Sequence, residues 1–475
     1  MRRASLAALL FLCACGARSD EHASQLRSAA MRELKHGDLG QALTLTERAL
    51  ELETSESNPV EQADLRLLRG EILLLLRQRD KATPVVNEAL PATAPFAALR
   101  AKQQCLKGHL QVLDNRLDEA RVTLAQAEKL ADAAGDPHVA FSARGLRGQA
   151  LLRLQRWDEG EEALAELAAD AERVGDDYHH AIALINLGMS RRVRDRFDAA
   201  VPYFEQAASL QGVPPRLRAL ALTNAGVSYS RLGDYDRAIG MQARAVEVHK
   251  ASAPVFLVQA LGELGTSYYL KGDTKQAIEN LKRALEVASE AKLSRDAELW
   301  AAHLAVVYTQ LGMWDEAERF NRQSRELNTT DDTARLVYNT LYDADIAAGR
   351  GDRVRAAEFY EEALRSDSTD PFIKSDAHAG LARIAVADGK MRQASKEFES
   401  ALEIIERTQT GLLKTDYKLT YLTRLSSVYD QYVDALVSQR QFDRALEIAD
   451  SSRARVLAER HGVSADRRHS AAEFK

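Results

Sequence analysis

Small residues return along the chain at a fixed interval. Between residues 42 and 394 a Gly or Ala recurs ten times, every 38 to 40 positions. These ten anchor positions are Ala42, Ala82, Ala120, Gly160, Ala200, Ala238, Ala277, Ala317, Ala356 and Ala394. A period of this length indicates repeated structural units that stack on their neighbours.

A second small residue stands twelve positions before each anchor. These partners are Ala30, Gly70, Gly108, Gly148, Gly188, Gly226, Gly265, Ala305, Ala344 and Ala382. Because only small side chains let two helix backbones approach closely, each unit is predicted to contain two crossing helices. A third small residue usually follows seven positions after the anchor, on the same helix face, as at Ala49, Ala89 and Ala127.

Turn residues support the same division into helix pairs. Glycines such as Gly233, Gly272 and Gly312 are placed to end the first helix of a unit. An aspartate two positions before the anchor, as at Asp118 or Asp158, is predicted to cap the second helix. Prolines fall 13 to 17 residues beyond an anchor, where one unit gives way to the next. The pattern predicts two helices per unit and no strands.

The best units resemble the tetratricopeptide repeat. Their marks are Leu264-Gly265 with Tyr268 and Ala277, Asn224-Ala225-Gly226 with Tyr229 and Ala238, and Leu304-Ala305 with Tyr308 and Ala317. The resemblance covers residues 24–402 and implies an all-α, TPR-type superhelix (solenoid) of about ten to eleven helix pairs. The usual repeat has about 34 residues, so each unit here is longer by about five.

The amino-acid composition is that of a chain that can fold around a core. Apolar residues make up 45% of the 475 positions and charged residues 28%, so the chain can bury a core. The net charge is −6, and the charges are interspersed along the chain. This balance disfavours nucleic acid as a partner.

The N-terminal segment reads as a targeting signal. Arg2 and Arg3 precede a short apolar run, and Leu12-Cys13-Ala14-Cys15-Gly16 resembles the lipobox of bacterial lipoproteins. The resemblance implies that Cys15 is the lipid attachment site and that residues 1–15 are a lipoprotein signal peptide, followed by a short tether at 16–23. Gly16 favours the outer membrane, facing the periplasm, within the bacterial cell envelope. The alternatives are an ordinary signal peptide cleaved nearby and an anchor without a lipid.

The sequence lacks the common motifs of catalytic, cofactor-binding and metal-binding sites. It has no glycine-rich phosphate loop, paired-cysteine spacing or nucleophile elbow, so no catalytic residues and no cofactor are predicted. The one histidine doublet, His179-His180, points its rings about 100° apart on a helix, so no metal site is predicted either. Cys105 is interpreted as a small buried hydrophobic residue.

A concave groove is the feature that could bind a partner. In similar proteins the residues that flank the small residue of the first helix line this groove. The partner-groove candidates are Asn186, Met189, Arg192, Asn224, Val227, Arg231, Glu263, Thr266, Tyr269 and His303. Asn can pair with a ligand backbone and Arg with a carboxylate. The alternative is that these are ordinary polar residues on a hydrated face.

The period breaks after Ala401, and the next comparable anchor is Ala445. Residues 401–460 resemble the segment that joins tetratricopeptide repeats to a CHAT (caspase-like peptidase) domain, chiefly through the run from Ala445 to Leu457. The catalytic residues of that family lie further downstream, and no cysteine follows Cys105. We therefore divide the chain into an array at 24–402, long helices and a terminal TPR-like unit at 403–460, and a disordered tail at 461–475.

Three hypotheses of function follow. The first is a membrane-anchored scaffold that binds a protein or peptide in its groove and is not an enzyme. The second is the recognition part of a CHAT-type peptidase whose catalytic domain is missing from this chain, and the third is a small-molecule or glycan binding module. The first is preferred because it needs no additional assumption.

Overall fold

The computed structural model describes residues 22–52, 58–250, 254–328, 333–367, 370–411 and 418–461. Within these ranges the chain forms eleven pairs of α-helices and no strand. The first helices of the pairs are α1 (Ala23–His36), α3 (Pro59–Leu75), α5 (Ala97–Leu113), α7 (Pro137–Arg153), α9 (Asp177–Val193), α11 (Pro215–Arg231), α13 (Pro254–Lys271), α15 (Ser294–Gln310), α17 (Thr333–Gly349), α19 (Pro371–Ala387) and α21 (Lys418–Ser438). The second helices are α2 (Leu39–Leu52), α4 (Arg79–Asn87), α6 (Leu117–Ala134), α8 (Trp157–Val174), α10 (Phe197–Ser209), α12 (Tyr235–His249), α14 (Thr274–Glu290), α16 (Trp314–Leu327), α18 (Arg353–Arg365), α20 (Met391–Gly411) and α22 (Phe442–His461).

The close helix crossing predicted from the small residues is confirmed. Every alanine anchor from Ala42 to Ala394 has a relative exposure of 0%. A Cβ atom added to Gly265 would lie 3.1 Å from the carbonyl oxygen of Ala277, and one added to Gly226 would lie 3.0 Å from that of Ala238. These distances leave no room for a larger side chain, so the paired small residues set the crossing point of each unit.

A left-handed backbone conformation ends the first helix at the position five before each anchor. The predicted glycines adopt it, with φ of 82° at Gly233 and 92° at Gly272, so this prediction is confirmed. Larger side chains adopt the same conformation in the units that lack the glycine, namely Arg77, Asn115, Gln155, Asp195 and Arg440. Arg440 stands five before Ala445, so the pair of α21 and α22 repeats the turn of the preceding units.

The predicted N-cap residues of the second helices are wrong, because the N-cap lies two residues earlier in the chain. Asp118 lies inside the first turn of α6, and the N-cap residue Arg116 makes no side-chain cap bond. Where an aspartate does cap, it stands four before the anchor: Asp273 accepts a hydrogen bond from the backbone N–H of Gln276 at 3.1 Å. A capping side chain must belong to the residue before the helix, and the helices begin earlier than the anchor suggested. The aspartates in the first turn still favour the positive end of the helix dipole.

The second repeat departs from the pattern at Ala89. This residue was predicted to pack on the same face as its anchor, but α4 ends at Asn87 and Ala89 is exposed. Pro91 follows shortly, and the residue before a proline disfavours helical backbone. The units that keep the third small residue bury it, as Ala49 and Ala127 show.

The predicted segment boundaries are only partly covered by the described residues. The limit at residue 402 falls inside α20, which continues to Gly411, and α1 begins at Ala23, within the predicted tether. Residues 1–21 lie outside the described ranges, and so do Cys15 and the signal peptide. The tail from residue 462 also lies outside them. In the part of the chain that is described, no helix combines the length and apolar character needed to cross a bilayer.

The helices belong to two compact units. Unit 1 contains the described residues up to Ser190 with Ala199–Ala225 and Arg244–Phe256, and there the side chain of Phe256 packs against a buried cluster that includes Leu39 and Ile72. Unit 2 contains Arg191–Asp198, Gly226–Ala243 and the described residues from Leu257 onward. Near the end of unit 2 the rings of Phe398 and Tyr432 stack with centroids 5.0 Å apart.

Candidate functional site

The register of the repeats defines a set of equivalent positions on the first helices. We define the groove positions on each first helix by counting from the small residue that faces the anchor. They are the residue two positions before it, the residue directly after it, and the residues four and five positions after it. Asn186, Met189 and Asn224 occupy such positions in unit 1. The other seven sequence-predicted residues belong to unit 2: Arg192, Val227, Arg231, Glu263, Thr266, Tyr269 and His303.

Three of these seven residues surround one cavity of about 220 Å³. Thr266 and Tyr269 project from α13 and His303 from α15. The remaining wall is formed by Leu270, Leu281, Val306, Val307 and Tyr342. The cavity therefore lies where three successive first helices, α13, α15 and α17, present their groove positions side by side.

The walls of this cavity are mainly apolar and uncharged. The hydroxyl of Thr266 donates to the carbonyl oxygen of Gly262 at 2.9 Å, and its Oγ1 lies 3.5 Å from Nδ1 of His303. The ring of Trp300 meets that of His303 edge to face, at 5.2 Å. Burial lowers the pKa of His303, so its imidazole is neutral at neutral pH, and burial raises the pKa of Tyr269. The cavity thus favours an uncharged apolar or aromatic group.

A charged cluster lies one helical turn from the cavity. Glu263 stands three residues before Thr266 on α13, which places the two side chains on one face. Burial raises the pKa of the Glu263 carboxyl, and the guanidinium groups of Arg192 and Arg231 oppose this shift. The charged groups of Glu263, Arg192 and Arg231 therefore lie close enough in unit 2 to influence one another.

The side-chain amides of the two asparagines bond within their own helices. The side-chain amide of Asn186 donates to the carbonyl oxygen of Ile182 at 2.9 Å, and that of Asn224 donates to Leu220 at 2.8 Å. Each amide thus uses one N–H inside its own helix, and Asn224 is only 5% exposed. Met189 and Val227 are half-buried. A role of these four residues in binding stays a prediction.

Sequence reasoning missed a polar cluster in unit 1. Glu71 directly follows Gly70, and His109 directly follows Gly108. The two side chains interact electrostatically with each other. Burial, together with the nearby Arg216, lowers the pKa of His109 to about 4, and the Glu71 carboxylate opposes this shift. The ammonium of Lys102 lies 3.3 Å from the Glu71 carboxylate.

The signal for these residues was already present in the repeat register. When the groove positions are identified in every repeat, they include Glu71 and His109 in unit 1. They also include Val306 and Tyr342, which line the cavity of unit 2. The predicted groove residues come only from the repeats around Gly188, Gly226, Gly265 and Ala305.

A third group of side chains lies at helix starts. His138, Asp176 and His179 each offer a donor atom, and these atoms lie within 4.8 Å of one another. The prediction of no metal site rested on His179 and its sequence neighbour His180, whereas the structure brings His179 together with residues of another helix and of the loop before its own helix.

Comparison with known proteins identifies the repeats. The tetratricopeptide repeat family model matches residues 139–212, 217–290 and 256–330. The apo form of RapI is 14% identical, with a TM-score of 0.52 over 74% of this chain and 99% of that chain. A Rap protein complexed with Competence and Sporulation Factor is 14% identical, with a TM-score of 0.48 over 73% and 98%. A tetratricopeptide repeat protein from Parabacteroides merdae is 17% identical, with a TM-score of 0.43 over 61% and 98%. No curated protein sequence matches the chain. The predicted all-α, TPR-type fold is confirmed.

Proposed function

We propose that this chain, an array of tetratricopeptide repeats, is a non-catalytic scaffold that holds an extended protein or peptide segment along its groove positions. The observation that carries the proposal is the cavity of unit 2, because α13, α15 and α17 each contribute groove positions to it. Equivalent side chains of successive repeats can follow an extended segment from one residue to the next.

The cavity defines the chemistry of one anchor residue in that segment. Its rings and aliphatic walls suit a large apolar or aromatic side chain, with His303 and Thr266 at the polar edge. One helical turn away, the guanidinium groups of Arg192 and Arg231 suit an acidic group beside the anchor. The segment is therefore expected to combine a bulky apolar residue with a neighbouring carboxylate.

A displayed random peptide library, selected against the full chain, tests this function. The enriched peptides should share a bulky apolar residue, and His303→Ala should weaken their binding by at least about tenfold, because it removes one wall of the cavity. His378→Ala is the matched control, since His378 lies on α19, pairs with Glu397 at 2.7 Å and is not among the residues that line the cavity. Peptides without a shared apolar residue, or equal losses in both variants, would contradict the proposal. Selective binding of a glycan or small molecule instead would favour the third hypothesis.

The proposal includes attachment to a membrane through an acyl chain on Cys15. What supports it is the lipobox-like run Leu12-Cys13-Ala14-Cys15-Gly16 after a short apolar segment. The proposed place is the bacterial cell envelope, with the array on the periplasmic side of the outer membrane.

A second candidate function concerns the C-terminal helices. Phe442 and Leu446 of α22 are 61% and 62% exposed, an unusual exposure for residues of this size spaced one helical turn apart. Such a surface favours a further domain packed after the array, as in the CHAT-type resemblance. Sequencing of the gene beyond the codon for Lys475 would test it: a downstream His and Cys pair supports this reading, and an immediate stop codon opposes it.

A further inference from the structure

A carboxylate in unit 1 receives two imidazole rings at a single oxygen atom. Asp176 precedes α9, and its Oδ2 lies 2.7 Å from Nδ1 of His179 on that helix. The same oxygen lies 3.1 Å from Nδ1 of His138, the second residue of α7. The three side chains therefore join the starts of two successive first helices.

Helix capping explains only half of this arrangement. The other oxygen, Oδ1 of Asp176, accepts a hydrogen bond from the backbone N–H of His179 at 3.1 Å. Asp136 caps α7 in the same way, accepting from the backbone N–H of Val139 at 3.1 Å. A cap thus requires one oxygen, and the two ring contacts at Oδ2 of Asp176 are additional to it.

The surroundings fix the ring of His179 in place. Its Nε2 lies 2.9 Å from the hydroxyl of Ser142 on α7, and the ring of Tyr178 meets it edge to face at 4.9 Å. When Nε2–H donates to the Ser142 oxygen, Nδ1 carries its lone pair toward Asp176. A hydrogen-bonded partner on the second nitrogen is the usual support of a metal-binding histidine.

We propose that His138, Asp176 and His179 bind a divalent transition-metal ion of the zinc type. Two imidazole nitrogens and one carboxylate oxygen are ligands that such ions accept, with water completing the coordination. Ligand atoms of a tetrahedral zinc ion lie about 3.3 Å apart, so the two imidazole–carboxylate distances of 2.7 and 3.1 Å need to widen slightly. All three donor atoms lie within 4.8 Å of one another, so a small movement of one side chain brings the set around an ion. His138 can supply the movement because its side chain is 77% exposed.

The ion would fasten α7 to α9 and so fix the stacking of two neighbouring repeats. Two features keep the affinity modest. The site has three protein ligands, and the positive ends of two helix dipoles face it. We expect a dissociation constant on the order of micromolar for Zn²⁺ rather than the much tighter binding of four-ligand structural sites.

Calorimetric titration of the full chain with Zn²⁺ tests the site, after treatment with a chelator and purification through a tag that contains no histidine. One ion per chain should bind, and His138→Gln should lower the affinity at least about tenfold. This variant changes an exposed ring, so it leaves the fold intact. Asp176→Asn should also lower the affinity, because an asparagine still caps α9 but lacks the charge.

The control is His378→Gln, which alters a histidine–carboxylate pair that has no third metal-ligating side chain nearby among the described residues; this variant should bind Zn²⁺ like the wild type. Cobalt(II) provides a second readout, since bound Co²⁺ should show the visible absorption of a tetrahedral or five-coordinate site only in the wild type and the control. Binding that is substoichiometric, or equal in His138→Gln and the wild type, would show an adventitious ion only and overturn the proposal.

Discussion

Two Gly→Ala substitutions in unit 2 separate the effect of packing at a helix crossing from the effect of helix propensity on stability. Gly265 lies at a crossing point in α13, and an added Cβ would stand 2.8 Å from Cγ of Leu281 and 3.1 Å from the carbonyl oxygen of Ala277. Gly240 lies in α12, is exposed, and has no neighbouring atom within 4 Å of an added Cβ. The same chemical change therefore meets a packed backbone at one site and open space at the other.

The expected free energies follow from two effects. Replacing a glycine inside a helix by alanine stabilises the helix by about 1 kcal/mol, and both variants share this gain. Only Gly265→Ala also overpacks its neighbours, since carbon atoms prefer about 3.5–4.0 Å and Leu281 is buried with 1% exposure. Overpacking typically costs about 1–3 kcal/mol. Gly240→Ala should therefore be more stable than Gly265→Ala by about 1–3 kcal/mol.

Chemical denaturation followed by far-ultraviolet circular dichroism measures this difference. Gly240→Ala should raise the denaturation midpoint above that of the wild type, and Gly265→Ala should fall below Gly240→Ala by the amount given. Equal midpoints of the two variants would mean that packing does not require a small residue at the crossing.

Three further predictions address the turns, the pH dependence and the anchor. Arg440→Gly should raise the free energy of unfolding by about 1 kcal/mol, since Arg440 has φ of 57°, and Gly389→Arg at the equivalent turn (φ of 73°) should lower it; unchanged denaturation midpoints in both would contradict this. Burial lowers the pKa of His249 to about 4, against about 6.5 in an unfolded chain, so the fold favours the neutral ring. Stability should thus be complete above about pH 6.5 and fall as the pH drops toward 4, by up to about 2 kcal/mol between pH 7 and 5 from this residue. His249→Phe, which can keep the stacking on Phe256, should show a smaller loss in denaturation at these two pH values, and an unchanged loss would be the contrary result. Cys15→Ser should move the protein from the membrane fraction to the soluble fraction, and membrane retention in that variant would rule out the lipid anchor.

The sequence predicted the helix pairs well because their cause is visible in single residues. A close crossing admits only Gly or Ala, so the anchors and their partners can be found without knowing any contact. The left-handed turns were predicted only where a glycine marks them. Arg77 and Gln155 adopt the same backbone, because the packing of the two helices fixes the turn whatever residue occupies it.

The candidate sites were harder to predict for a geometric reason. Thr266, Tyr269 and His303 were selected one helix at a time, whereas Tyr342 joins them only because α17 lies beside α15. The cluster of His138 and Asp176 arises in the same way, from residues almost one repeat apart in the chain. Comparing positions one period apart, instead of sequence neighbours, would have revealed both.

The role of the cavity in binding can be measured as the affinity of one selected peptide for two valine variants. Val306→Phe adds a ring inside the cavity, whereas Val354→Phe makes the same change at a residue of α18 that is 73% exposed. If the cavity holds the apolar anchor of an extended segment, Val306→Phe should lower the affinity at least about tenfold and Val354→Phe should leave it unchanged. Equal affinities of the wild type and both variants would show that the peptide binds elsewhere and would contradict the account.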